Sequence, residues 1–179
     1  VGTGTYKPDY IAPDGDGLTA NATPFWMVAG SGVEIEVDTE TGHLRIMRLI
    51  HVADVGKPIN PKIVETQLSG AALMQLGFSM FEKMHLDGGQ VTNASLADYK
   101  IPGIHDVPPV MENEAVDTYQ SNGPFGAKGV GELATFGVSP AIANAIDDAV
   151  GVRLTELPLT AESVLRALRA KAGKPLGDD

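Results

Sequence analysis

The sequence predicts an α+β fold, a β-hairpin and mixed sheet packed with several helices. Three observations predict it. Val33, Ile35 and Val37 alternate with Glu34, Glu36 and Asp38, the period of two that marks a half-buried strand. Asn60-Pro61 and Thr160 each open a segment of helical composition with a side chain suited to capping it. Between these segments, glycines and prolines hold long stretches in extended or irregular backbone.

The elements follow in order. Residues 1–30, rich in Gly, Pro, Thr and Asp, read as an extended segment that needs a surface to lie on. Residues 31–172 form the α+β body and 173–179 a flexible tail, all in one unit without a linker or repeat. DTETG at 38–42 turns the first strand into HLRIMRLIHVADV, the return strand from His43. The helix that starts at Asn60-Pro61 is expected to reach about Lys83, and its Ser69, Gly70, Ala71, Ala72 and Gly77 let another backbone come close. LDGGQ makes a turn, Thr92 to Pro109 is extended, and VMENEAVDTY from Val110 is a strand. Ser139-Pro140 caps a helix that stops at Gly151, and Thr160 caps the last one, with Glu162 in its first turn suiting the helix dipole. A hairpin alone is marginal in water, so the unit is expected to pack against another polypeptide over a large area.

Composition narrows the function. With 179 residues, 43% hydrophobic and 20% charged, the chain is an ordinary globular one. A net charge of −10 argues against a nucleic-acid partner. No apolar run is long enough for a membrane span, and the N-terminus lacks the basic and apolar regions of a secretory signal, so the expected compartment is the cytoplasm. The chain opens on valine rather than methionine, which suggests that it has been cut or processed. The absence of cysteine excludes disulfides, iron–sulfur clusters and thiolate zinc sites held by this chain. His43, His51, His85 and His105 lack the spacing of a metal site, so no metal is expected on the chain's own side chains.

The chemistry concentrates in GPFGAKGVGELATFGVSPAIANAI, Gly123 to Ile146. A Walker phosphate loop fails here, because Gly129 stands where a Ser or Thr must follow Lys128. A dinucleotide fingerprint fails too, because Ala134 replaces its third glycine. Two readings of the residues stay open. One is a tight structural turn with a solvated glutamate; the other is a loop that brings backbone and one carboxylate, Glu132, against a cofactor or substrate. Asp54 and Asn60 read as turn and cap residues, and Asp98 and Tyr99 as structural. Asp147 and Asp148 are adjacent on a helix and point apart, which argues against a paired-carboxylate site.

The same stretch, continued through DDAVGVRLTELPLTAESVLRAL, resembles the C-terminal signature of the molybdenum-binding subunit of the xanthine dehydrogenase and aldehyde oxidase family. VEIEVDTETGHLRIMRLIHVADVGKPINPKIVETQLSGAALMQLG resembles the family's hairpin and following helix, and DYKIPGIHDVPP its extended connector. The resemblance covers nearly the whole chain and implies the C-terminal portion of a molybdopterin-binding domain. It implies that Glu132, in the G-V-G-E motif, is the base that takes a proton from a molybdenum-bound hydroxide as the oxygen attacks an electron-poor carbon. It implies further that Gln75 hydrogen-bonds the pterin, although Leu76 here replaces the glycine that usually follows. Gly129, Val130 and Gly131 give the cofactor room, and Lys128 either faces its phosphate or anchors the loop. A carboxylate in a dry pocket has its pKa raised toward a value useful for such a base.

The implied cofactor is a molybdenum-pterin, either as molybdopterin or as its cytosine dinucleotide. The implied partners are the remainder of the molybdenum-binding subunit, iron–sulfur clusters and often FAD on other domains or subunits, and a small-molecule substrate such as an aldehyde or N-heterocycle. The residues that choose the substrate are expected to lie mainly outside this chain. The competing expectation is a non-catalytic assembly module of such a complex, against which the retained Glu132 argues.

Overall fold

The computed structural model of the chain describes residues 2–11, 13–17 and 22–174. Five strands and three α-helices follow in the order β1 (Ala29–Val37), β2 (Leu44–Asp54), α1 (Pro61–Met80), β3 (Leu86–Asp87), β4 (Gln90–Val91), β5 (Val110–Val116), α2 (Val138–Val150) and α3 (Ala161–Lys171). Short 3₁₀ turns occupy Ile104–Asp106, Pro124–Gly126 and Leu133–Thr135. The α+β expectation holds. The main sheet is mixed, with order β1-β2-β5; β2 runs antiparallel to β1 and parallel to β5.

The hairpin forms because Asp38 folds the turn back on itself: its carboxylate accepts the Glu40 N–H at 2.8 Å and the Thr41 N–H at 3.3 Å. Pairing then runs from Val37 opposite Leu44 to Ala29 opposite Ala53, with a bulge between Glu34 and Ile35. The strand therefore starts earlier than the alternation alone marks, because β2 offers paired backbone as far as Ala53. A parallel neighbour needs a crossover, and α1 supplies it between β2 and β5. Asn60 caps α1 by accepting the Ile63 N–H at 3.2 Å, with Pro61 in its first turn. The helix ends at Met80 rather than Lys83, because the Phe81 and Glu82 N–H groups both turn back to Gly77 O. LDGGQ forms the small β3–β4 hairpin, and β5 ends at Val116 rather than continuing through Tyr119.

The start of α2 also differs from expectation. Gly137, in the left-handed region at φ 84°, is the cap, and Ser139 lies inside the first turn with its hydroxyl used elsewhere. Gly151 and Thr160 act as read, the first as the left-handed stop of α2 and the second as the cap of α3, accepting the Ser163 N–H at 3.1 Å. Of the expected flexible tail, residues 175–179 lie outside the described residues.

One face of the sheet carries the core. Leu49 and Ala53 of β2 meet Leu68, Ala72 and Leu76 of α1 and Val138, Ile142 and Ile146 of α2, all buried to within 3% of full occlusion. Leu133 and Ala134, fully buried, plug the same core from the loop before α2. Each large aliphatic removed from water here contributes about 1.5–3 kcal/mol, so the position of that loop is fixed by the main core.

Candidate functional site

The segment 117–137, between β5 and α2, carries Glu132, and β1, the end of β2 and α1 contribute to holding it. Its first foot lies beside the end of β2. Lys57 N donates to Gly126 O at 2.7 Å, Lys128 N donates to Val55 O at 3.1 Å, and Ala127 bridges Gly56. Gly56 sits at φ 62°, and a Cβ there would stand 2.6 Å from Gly126 O and 2.8 Å from Lys128 N, so only glycine fits this crossing.

Lys128 clamps the foot. Its ammonium, on a side chain only 9% exposed, donates to Asp54 Oδ2 at 2.6 Å and to Trp26 O at 3.2 Å. Asp54 also accepts the Gly56 N–H at 3.0 Å and the Thr118 hydroxyl. Burial pushes the Asp54 carboxyl up, but the donors Lys128, Thr118 and Gly56 and the Lys128 charge outweigh it and hold the group below the usual carboxylate range. Asp54 is thus a turn residue, as read, and also the counter-ion of Lys128, which the sequence reading did not assign.

The middle of the loop is tied to α1. Gln67 Nε2 donates to Gly131 O at 3.0 Å, which fixes the peptide plane that joins Gly131 to Glu132. Gln67 escaped the sequence reading; its signal was a polar side chain two turns before Gln75 on a helix that must pass the loop. The second foot follows. Thr135 N and Oγ1 donate to Glu132 O at 3.1 and 2.7 Å, closing the 3₁₀ turn. Ser31 Oγ then donates to Phe136 O at 3.0 Å and stands 2.8 Å from His51 Nδ1. His51 is fully buried, and burial pushes its imidazole below the usual histidine range.

Glu132 itself stands at the boundary between exposed Gly131 and buried Leu133. Its backbone is held from two sides, by Gln67 at the preceding carbonyl and by Thr135 at its own, yet its side chain is exposed and no described residue hydrogen-bonds its carboxylate. The dry pocket expected around it is not built by the described residues. The glycines before it are open as well. A Cβ added to Gly131 would meet nothing within 4 Å, and one at Gly129 would make ordinary contacts with Met27 and Phe25 at 3.4 Å or more. No contact within the described chain requires glycine at Gly131.

Gln75 is placed differently from Glu132. Its Nε2 donates to Ser139 Oγ at 2.5 Å, Ser139 Oγ lies 2.6 Å from Ser79 Oγ, and Ser79 Oγ donates to Gln75 O at 2.6 Å. It ties α1 to α2, roughly 12 Å along the helix from Gln67. The structure therefore brings Gln67, Lys128, Gly129, Val130, Gly131 and Glu132 together and sets Gln75 apart in the helix–helix contact. Asp98 and Tyr99 are structural as read: Asp98 accepts the Ser95 hydroxyl at 3.0 Å, and Tyr99 donates to Glu82 at 2.6 Å. Among the described residues no group of three His, Asp or Glu could hold a metal ion, and no helix is long and apolar enough to cross a membrane.

A mixed three-stranded sheet with a crossover helix thus carries a glycine-thin loop whose one carboxylate, Glu132, has no hydrogen-bond partner among the described residues. Residues 1–108 match the model of the molybdopterin cofactor-binding domain, and the chain belongs to that family, whose relatives are molybdenum oxidoreductases. It is 36% identical over 170 residues to the probable hypoxanthine oxidase XdhD of Escherichia coli, an alignment that covers 94% of this chain and 16% of that protein. It is 37% identical over 142 residues to the aldehyde oxidoreductase molybdenum-binding subunit PaoC of the same organism, covering 78% of this chain and 19% of PaoC. Among solved structures, quinoline 2-oxidoreductase from Pseudomonas putida superimposes with a TM-score of 0.71 at 32% identity, over 76% of this chain and 18% of that one. Aldehyde oxidoreductase from Desulfovibrio gigas does so with a TM-score of 0.69 at 33% identity, over 76% and 15%. The chain thus spans less than a fifth of the length of these relatives.

Proposed function

We propose that this chain is the C-terminal part of the molybdenum-binding subunit of a hydroxylase that oxidises an aldehyde or an N-heterocycle, with Glu132 as its general base. The observation that carries the reading is a carboxylate without a partner on a backbone tied at both feet and in the middle. A solvated surface glutamate needs no such support. The loop suits a bulky cofactor, because Gly131 leaves open space where a side chain would stand and the Gly129–Gly131 backbone lies along the exposed edge.

When bound, a molybdenum-pterin supplies the oxygen to be transferred and accepts the electron pair released by the substrate. The chain's own residues supply the rest. The Glu132 carboxylate would serve as the proton acceptor, a role typically worth 10²–10⁴-fold in rate. The backbone of Gly129, Val130 and Gly131 would line the cofactor. Lys128, with its charge matched by Asp54, acts on the cofactor through the loop that it anchors. Gln75 would act on the cofactor only through α1, since its amide nitrogen holds Ser139 in the contact with α2.

The partners in this reading are the rest of the molybdenum-binding subunit and iron–sulfur and flavin domains that take up the electrons. Apolar surface beside the loop supports a covering partner: Trp26 and Phe125 are 78% and 86% exposed, and Phe125 holds a left-handed backbone at φ 56°. The test is molybdenum and pterin content of material purified with every co-eluting chain, followed by Glu132→Gln. Stoichiometric molybdenum with turnover reduced about 10²–10⁴-fold is expected. Turnover within a few-fold of the parent at full molybdenum content refutes the base assignment.

A further inference from the structure

Ser31 and His51 face each other across β1 and β2 on the side of the sheet that carries the core. Counting hydrogens settles the direction of their contact. The single Ser31 hydroxyl hydrogen goes to Phe136 O at 3.0 Å, so the 2.8 Å contact with His51 must run from Nδ1–H to Ser31 Oγ. The imidazole is then the Nδ1–H tautomer, with the lone pair on Nε2. That atom is buried without a partner, in a side chain with no exposed surface. Burial also keeps the ring neutral, so Nδ1 is its only donor.

An aliphatic residue would suit this position better on stability grounds, since a buried acceptor without a donor is unfavourable. What the histidine supplies is a direction. Its N–H occupies one side of Ser31 Oγ and leaves the hydroxyl to point at the loop. Phe136 lies four residues after Glu132, and the 3₁₀ turn between them is closed by Thr135 N–H to Glu132 O at 3.1 Å and Phe136 N–H to Leu133 O at 3.4 Å. We propose that Ser31 and His51 are positioning residues for Glu132, fixing the second foot of its loop through the Phe136 carbonyl. The proposal rests on Glu132 being the base.

The experiment uses the assembled complex and two variants beside Glu132→Gln. Ser31→Ala/His51→Leu removes the tie and leaves neither partner as a buried orphan, a replacement that is nearly neutral for stability. His51→Asn keeps an amide donor where Nδ1 stands. Two readouts are taken, kcat and KM with hypoxanthine and benzaldehyde as probe substrates, and amide hydrogen exchange across residues 131–137. For the double variant we expect an unchanged Tm and molybdenum content, KM within about threefold, and kcat lowered about 10- to 100-fold, the scale of a misplaced catalytic group. Its exchange at 131–137 should quicken at least tenfold, and His51→Asn should restore most of both. Parental exchange in the double variant overturns the proposal, and so does a kcat that falls only in step with Tm. Retained turnover in Glu132→Gln overturns the base reading instead, and it is recognised because loop exchange in the double variant still quickens while its kcat does not fall.

Discussion

Replacing Lys128 with methionine isolates the first foot of the loop. The variant keeps most of the buried stem and removes the charge, leaving the Asp54 carboxylate, itself 18% exposed, without its ammonium. Breaking a buried ion pair from one side costs about 3–5 kcal/mol. Asp54 keeps the Gly56 N–H and the Thr118 hydroxyl, so the lower end, about 3 kcal/mol, applies. Asp54→Asn/Lys128→Met removes the orphaned charge and should recover about half of that loss. The assay is native-state hydrogen exchange at the amide of residue 128, which donates to Val55 O. A loss of 3 kcal/mol in local opening free energy corresponds to exchange faster by about 150-fold. The pH dependence has a definite sign. Asp54 is held below its ordinary value of 3.8, so the clamp is fully present above that pH and is lost as pH falls through the lower, folded value. Protection should therefore be level from neutral pH down to about 5. Exchange in Lys128→Met within threefold of the parent, or a double variant worse than the single, would refute the clamp.

Other consequences are open to measurement. Gly56→Ala forces a Cβ to 2.6 Å from Gly126 O at a left-handed φ and should cost more than about 2 kcal/mol, whereas Gly131→Ala meets open space and should leave Tm unchanged while lowering molybdenum content. Comparable Tm losses in the two variants would contradict this contrast. His51 is held below its ordinary 6.5, so the unfolded chain binds the extra proton first and stability falls as pH drops below that value. His51→Leu should flatten the Tm profile between pH 7 and 5, with at most about 1.4 kcal/mol per pH unit at stake; an unaltered slope would mean that the histidine takes up its proton as readily folded as unfolded. Gln75→Ala should cost about 1 kcal/mol from the lost bond to Ser139 and reduce molybdenum occupancy; full occupancy would leave Gln75 as an interhelical tie alone.

The parts of the fold that local chemistry dictates could be read in advance. The alternation at 33–37, the Asn60 cap with Pro61 and the Gly151 stop each act within a few residues, and each stands where it was expected. The errors fall where a distant partner decides. Ser139 looked like a helix cap because Ser-Pro often is one, but Gln75 and Ser79 draw its hydroxyl to α1. For the site, the G-V-G-E motif directed attention to Glu132, and its exposed side chain is consistent with that attention without testing it. The supports were hidden. Ser31, His51 and Gln67 carry no motif, and their relation to the loop exists only once sheet and helix have packed. Gln75 drew notice through the family's pattern, although the glutamine that touches the loop is Gln67.

The ties that hold the loop have a consequence for how the molecule assembles. They span 64 residues from Gln67 to Gly131, 74 from Asp54 to Lys128, 102 from Trp26 to Lys128 and 105 from Ser31 to Phe136. Contacts between residues so distant form late, because the entropy of closing the intervening chain is lost before they return anything. The arrangement around Glu132 therefore has no early precursor, and a peptide cut from 120 to 140 would not adopt it. Denaturant should dissolve the loop together with the β1–β2–β5 sheet in one transition, leaving no state in which the carboxylate is in place on an unfinished scaffold.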